Sequence, residues 1–251
     1  MTTAPLFLVD DVGSLPGPGS DTVLDGPEGR HAATVRRLRP GEALVLSDGR
    51  GGLARAEVVD VAGRDALTVR LHEVTRVAAP AVRVVVAQAL VKGDRGELAV
   101  ETATEAGADG FVPWKAARCV TRWDDGPRGA KALERWRSTV REAAKQARRP
   151  WQPDVAGPVT TAQLAARVGA ADTTLVLHES AGEDLASVAL PAAGEVLLAV
   201  GPEGGVDDAE LDRLAEAGAV PVRMGPEVLR ASTAACVALG ALAVRTGRWA
   251  R

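Results

Sequence analysis

The feature that most constrains the fold is a series of short apolar segments alternating with helical ones through the last two thirds of the chain. Val82 to Ala87, apolar but for Arg83, suits a strand buried on both faces, as do Thr174 to His178 and Glu195 to Val200. Gly110-Phe111-Val112-Pro113 and Val220 to Met224 read as further strands. Between them, helical patterning runs from Glu97 to Ala106 with a Gly107 stop, and from Ala130 to Ala147 ahead of Pro150. It returns from Asp207 to Ala217, with acidic first-turn residues and a Gly218 stop, and from Ala231 to Arg245. Strand and helix in alternation predict an α/β domain with a mainly parallel sheet.

The beginning of the chain reads differently. Leu6 to Val9, Ala43 to Ser47, Leu53 to Val59 and Ala66 to Leu71 are short strands separated by Gly/Asp turns such as Asp48-Gly49-Arg50-Gly51-Gly52. That spacing predicts a small β-barrel, with one helix from Gly29 to Leu38 in which Arg30, Arg36, Arg37 and Arg39 surround His31. Ala78-Ala79-Pro80 reads as a hinge. The expected division is therefore 1–76 and 77–251.

Composition excludes several classes. Cys119 and Cys236, the only cysteines, make neither a disulfide framework nor a zinc cluster, and the three His (31, 72, 178) lack metal-ligand spacing. No metal is expected. The longest apolar runs, about eight residues, are too short to span a bilayer. No basic-then-apolar leader opens the sequence. The expectation is a cytoplasmic protein with no membrane partner. Net charge is −3, yet Arg118 to Arg149 carries ten basic residues against four acidic ones. A local excess of this kind suits a polyanion; the plain alternative is a solvated helix face.

Chemistry points to one strand end. Val196-Leu197-Leu198-Ala199-Val200 runs into Gly201-Pro202-Glu203-Gly204-Gly205 and then a helix start. Ligands bind at the C-terminal ends of strands in open α/β sheets, and glycines there admit a close backbone approach and positive φ. A second such turn is Met224-Gly225-Pro226-Glu227-Val228-Leu229-Arg230, with Ser232 or Thr233 as candidate helix cap, and a third strand end carries Leu177-His178-Glu179-Ser180. Together the three loops would wall one pocket. They are not G-x-G-x-x-G, no Walker A segment occurs, and His178 has no G-x-S-x-G serine to work with.

These residues resemble the RsmE family, SPOUT-class enzymes that methylate N3 of a uridine in small-subunit ribosomal RNA. The resemblance rests on Gly201-Pro202-Glu203-Gly204-Gly205 followed by Gly225-Pro226-x-x-Leu229-Arg230-x-x-Thr233-Ala234. It extends to His31-x-x-x-Val35-x-Arg37-Leu38-x-x-Gly41 and Asp48-Gly49, which look like a PUA-like domain. Lys92-x-Asp94-Arg95, Glu105-x-Gly107, Pro113, Arg118 and Glu142-Ala143-Ala144-Lys145-Gln146-x-x-Arg149 match its middle. The resemblance implies a C-terminal domain with a trefoil knot, a rare exception to the no-knot rule, and a homodimer formed through it. It implies S-adenosylmethionine bound in a bent shape by Leu177, His178, Gly201, Pro202, Glu203, Gly205, Met224, Gly225, Leu229 and Thr233. The N-terminal barrel would help grip the RNA, either free or within the assembled 30S particle. Two departures stand out. Where the family often has Leu-Arg-Thr-Glu-Thr-Ala, this chain has Leu229-Arg230-Ala231-Ser232-Thr233-Ala234, so no catalytic Glu carries over. Lys145 replaces a common Glu, which would favour phosphate contact.

Uracil N3 is protonated at neutral pH, so its methylation needs a base or a stabilised anion. Arg230 is the first candidate, its guanidinium holding charge that develops on O2 or O4; a structural cap or phosphate clamp is the alternative role. His178 and Glu203 are candidate bases, with structural or cofactor-orienting roles as alternatives. For RNA the candidates are Arg37, Lys92, Arg95, Arg118, Gln146 and Arg149. Two other functions fit the same residues, ribose 2′-O methylation and non-catalytic RNA binding in ribosome assembly.

Overall fold

The computed structural model describes residues 4–250. Two compact units make it up, the first from Met1–Ala79 with Ala144–Gln152, the second from Pro80–Ala143 with Pro153–Arg251.

The first unit contains β1 (Leu6–Leu8), β2 (Asp21–Leu24), α1 (Gly26–Arg30), β3 (Ala43–Ser47), β4 (Gly52–Ala62) and β5 (Ala66–Arg76). Its sheet has the order β1-β3-β4-β5-β2, with β1 and β3 parallel and the other pairs antiparallel. Alternate residues of β3 to β5, among them Leu44, Leu46, Ala54, Ala56, Val58, Leu67, Val69 and Leu71, close over Phe7 as the core. That alternation is the period-2 pattern of a half-buried sheet. β2 escapes a reading of the sequence because only Leu24 of its four residues is buried. It is anchored at its start by Arg70, which donates two hydrogen bonds to Asp21, at 2.7 and 2.9 Å, and holds the Asp21 carboxyl below the usual carboxylate range. The helix begins at Gly26 rather than Gly29, since Pro27 is suited to a first turn, and it continues as a π-helical turn over His31–Val35.

Residues 144–152 complete this unit. The Gly51 amide donates to the Pro150 carbonyl at 2.8 Å, the Gln152 amide to Gly49 at 2.9 Å, and the Trp151 indole to Val77 at 3.1 Å. Gly51 lies at φ +94°, and a Cβ there would stand 2.5 Å from the Val77 carbonyl and 2.8 Å from the Trp151 ring, so only glycine fits. Lys145 contacts no phosphate from here. Its ammonium sits 3.0 Å from Glu28, with the two side chains only 8% and 12% exposed. The expectation that it adds available positive charge is thus overturned: helical phase turns this position inward, where the charge is neutralised. Arg37 and Arg148 adopt left-handed backbone at φ 55° and 53°, each just past a helix end.

The second unit is built on β6 (Val82–Ala89), β7 (Gly110–Lys115), β8 (Asp154–Val155), β9 (Val159–Thr160), β10 (Thr173–Leu177), β11 (Glu183–Asp184), β12 (Gly194–Val200) and β13 (Val220–Arg223). The sheet order is β11-β13-β10-β12-β6-β7-β8, with β9 also on β7, and every pairing is parallel. The helices are α2 (Arg95–Ala106), α3 (Pro127–Gln146), α4 (Thr161–Val168), α5 (Asp208–Glu216) and α6 (Ala231–Arg245). α3 runs on into the 144–152 segment. α4, absent from the helices the sequence predicts, starts with a full capping box: Thr160 accepts from the Gln163 amide while the Gln163 side chain accepts from the Thr160 amide. Against the sheet pack Val84, Val86, Phe111, Trp114, Leu164, Leu175, Leu214, Ala235 and Leu239. Trp123 and Trp136 meet edge to face at 5.0 Å. Among the described residues no helix is long and apolar enough to cross a membrane.

Because β13, β10 and β12 are parallel neighbours, the loops that leave their C-terminal ends emerge side by side.

Removing the buried ammonium takes the counter-ion from a carboxylate that is itself nearly inaccessible. Lys145→Ala should therefore destabilise the first unit by about 3 kcal/mol or more, read as a lowered denaturation midpoint, whereas Lys131→Ala, at an exposed position, should leave it unchanged.

Candidate functional site

The three loops enclose a cleft of about 490 Å³, within the range of small-molecule sites. Val91, Val200, Val206 and Val222 give it apolar walls. Of the residues assigned to a cofactor, Leu177, His178, Gly201, Pro202, Glu203, Gly205, Met224, Gly225 and Leu229 line it, and so do Arg95 and Arg230. Thr233 does not: it is exposed, and its hydroxyl donates to the Arg230 carbonyl at 3.2 Å.

The first turn is held by backbone and by three side chains. The Gly205 amide donates to the Pro202 carbonyl at 2.9 Å, and Gly205 lies at φ +73°. A Cβ on Gly201 would fall 2.8 Å from a Val206 methyl, so this glycine lets the turn fold back on itself. Glu203 accepts from the Lys92 amide at 3.3 Å and lies 3.9 Å from the Arg95 guanidinium. Arg118 donates to the Gly204 carbonyl at 3.1 Å and pairs with Asp207 at 3.3 Å. Asp207 in turn caps α5 by accepting from the Ala209 amide at 3.1 Å. Lys92, Arg95 and Arg118, expected to meet RNA, are thus all placed about the glycine turn.

His178 Nδ1 accepts from the Ser180 amide at 3.3 Å, which puts the proton of the neutral ring on Nε2. Arg230 occupies the N-cap of α6 with extended backbone, and its carbonyl accepts from the Thr233 and Ala234 amides. No side chain caps this helix. The expected cap, Ser232 or Thr233, is wrong because the helix begins at Ala231 and both lie inside it. The Arg230 guanidinium is exposed at the cleft and, among the described residues, has no hydrogen-bond or ion-pair partner.

Four polar lining residues carry no ligand role in the sequence: Glu179, Arg223, Glu227 and Ser232. Glu179 and Glu227 lie inside the recognised loops, and Arg223 and Ser232 flank the one from Met224 to Arg230, so proximity to the loops was the available signal. Ser232 is buried and Glu227 exposed. Arg37, Gln146 and Arg149 belong to the first unit, where Arg37 and Gln146 are exposed and Arg149 is half-buried. Burial pushes both the Cys119 and the Cys236 thiol upward, so neither supplies a thiolate at neutral pH. Among the described residues no group of three or more His, Cys, Asp or Glu could hold a metal.

Residues 78–243 match the RNA methyltransferase domain model, and residues 24–71 match the RNA methyltransferase PUA domain model. A parallel α/β sheet with a cleft at three adjacent strand ends, preceded by a PUA-type unit, defines an RNA methyltransferase. The chain is 54% identical to ribosomal RNA small subunit methyltransferase E of Mycobacterium tuberculosis, covering 98% of this chain and 94% of that protein. It is 33% identical to the Bacillus subtilis enzyme of the same name, over 89% and 90%. A methyltransferase from Legionella pneumophila, solved with S-adenosylmethionine bound, superposes with a TM-score of 0.83 at 28% identity, covering 97% of this chain and 98% of that one. The chain belongs to the ribosomal RNA small subunit methyltransferase E family, RsmE.

A β-branched side chain cannot take up φ +73° without strain, so Gly205→Val should deform the turn. Titration calorimetry should show S-adenosylmethionine affinity lowered by about tenfold or more, given a strain of roughly 1–3 kcal/mol; unchanged affinity would disprove this placement of the site.

Proposed function

We propose that this enzyme transfers a methyl group from S-adenosylmethionine to N3 of a uridine in small-subunit ribosomal RNA. The observation that carries the reading is the cleft at the ends of β10, β12 and β13, with an unpartnered arginine at its edge. The residues present fit the donor. Valine walls suit an adenine face, and the two Gly-Pro turns expose backbone amides and carbonyls for its polar edges. When bound, S-adenosylmethionine supplies an electrophilic methyl on a cationic sulfur.

The chain's own residues do the rest. Leu177, Gly201, Gly205, Met224 and Leu229 hold the donor through backbone groups, and His178, Pro202, Glu203 and Gly225 shape the loops around it. Holding donor and acceptor in line supplies much of the rate. The Arg230 guanidinium, unpaired among the described residues, is the group that stabilises charge developing on the uracil oxygens. Glu203 is engaged with the Lys92 amide and Arg95, and His178 Nδ1 with Ser180, so neither is a free base in this arrangement. With Nδ1 engaged by Ser180 and the neutral ring's proton on Nε2, His178 offers no open nitrogen, and proton removal falls to solvent.

The division of labour follows the two units: the first, with residues 144–152, grips the RNA as a PUA-like domain, and the second carries the donor site within a trefoil knot. Arg37, Gln146 and Arg149 contact phosphate on the first unit, with Lys92 and Arg95 beside the cleft. The enzyme works as a homodimer in the cytoplasm, on the 30S particle or its RNA. In support, α6 keeps Val237 and Val244 exposed, at 49% and 69%, on a helix otherwise largely buried.

Arg230→Ala should lower kcat by about 10²–10³ while leaving S-adenosylmethionine affinity unchanged, as loss of one charge-stabilising donor does. Arg37→Ala should instead weaken RNA binding and reduce the slope of log K against log salt by about 0.7–0.9, one phosphate contact. Mass spectrometry of ribosomal RNA from a strain lacking this gene should show one methyluridine missing. Resistance of that nucleotide's linkage to alkali in the wild type would assign the methyl to the ribose and defeat the N3 reading.

A further inference from the structure

Arg118 stands three residues beyond β7, at the start of the strongly basic stretch. We propose that it is a positioning residue for the donor turn and not an RNA contact; the inference rests on the turn being the S-adenosylmethionine site. Its guanidinium is forked between two acceptors: one nitrogen donates to the Gly204 carbonyl at 3.1 Å, the other lies 3.3 Å from Asp207. The first acceptor is inside the glycine turn, and the second is the N-cap of the helix that follows it. One planar group therefore fixes the turn to the start of α5 through two separate nitrogens, a fork that a single-nitrogen ammonium lacks.

Two further observations show that the contact is built. A Cβ on Gly204 would stand 3.2 Å from Arg118 Cβ, so glycine at this position gives the arginine stem room to lie against the turn. One turn along α5 from Asp207, the buried Glu210 accepts from the Ala117 amide at 2.9 Å and from the Thr161 hydroxyl. Glu210 thus grips the backbone immediately before Arg118, and residues 207 and 210 share a helix face. The loop after β7 is held at 117 by Glu210 and at 118 by Asp207. Two of the guanidinium's three nitrogens are engaged within the protein, one by a carboxylate that offsets its charge, although the side chain stays 46% exposed.

The test separates brace from RNA contact. Wild type, Arg118→Ala and Arg118→Lys are titrated with S-adenosylmethionine by calorimetry, and with a small-subunit rRNA fragment, without cofactor, by fluorescence anisotropy over a salt series. Arg118→Ala should raise the Kd and KM for S-adenosylmethionine about tenfold, the scale of a lost charged hydrogen bond. Its kcat at saturating donor and its RNA salt slope should stay at wild-type values, a split that general loss of folding would not produce. Arg118→Lys keeps the charge but not the fork and should also bind the donor more weakly. The inference fails if Arg118→Ala keeps donor affinity within about twofold of wild type while RNA binding falls with a slope reduced by about one phosphate. A wild-type chain that binds no S-adenosylmethionine would instead sink the site reading, and this inference with it.

Discussion

β12 is hydrogen-bonded on both sides, Gly194–Val200 to Val82–Gln88 of β6 and Val196–Ala199 to Thr173–Val176 of β10. A strand in that position has no solvent on either face, and Val196 to Val200 are all 2% exposed or less. The site depends on this placement. A fully paired, fully buried strand can release its chain only at its end, and Gly201 is where it does so. The parallel neighbours on one side, β10 and β13, end at the same edge and release their loops there too. The cleft is therefore a geometric result of parallel pairing, and the glycines are what let the released backbone turn tightly enough to wall it.

Much of this was legible in sequence. The strands of the second unit announce themselves as apolar runs, since a strand buried on both faces has no freedom to be polar. The two Gly-Pro turns and the Leu177–Ser180 segment were recognisable as the loops that line the cleft. What could not be read was marginal in physical terms. β8, β9 and β11 have two residues each and carry no periodicity, and β2 buries only Leu24. α4 does carry a signal, Thr160-x-x-Gln163, a capping box ahead of a short amphipathic stretch. At the site, lining residues within recognised loops were accessible to reasoning, but the bonding of Arg118 was not. An arginine's partner across 86 positions of sequence leaves no local trace.

The basic stretch shows why a charge count over a segment overstates what a polyanion meets. Arg118 braces a turn, Arg135 lies 3.0 Å from Glu97, Arg137 pairs with Glu134, and Lys145 is buried against Glu28. Arg122, Arg128, Lys131 and Arg148 remain exposed and, among the described residues, without a side-chain partner. Exposed pairs such as Arg135–Glu97 contribute little to stability and can be exchanged for phosphate. The buried pair is far harder to exchange, because separating it leaves a charge without its counter-ion and with little water.

The return of residues 144–152 to the first unit bears on how the protein is made. A chain emerging from the ribosome usually folds domain by domain from its N-terminus. Here the first unit lacks Lys145 for Glu28, Pro150 for the Gly51 amide and Trp151 for the Val77 carbonyl until position 152 has emerged from the ribosome. By then Pro80–Ala143 of the second unit is already outside. The order of synthesis and the order of completion are interleaved: the amino-terminal unit reaches its final form only after a large part of its successor exists.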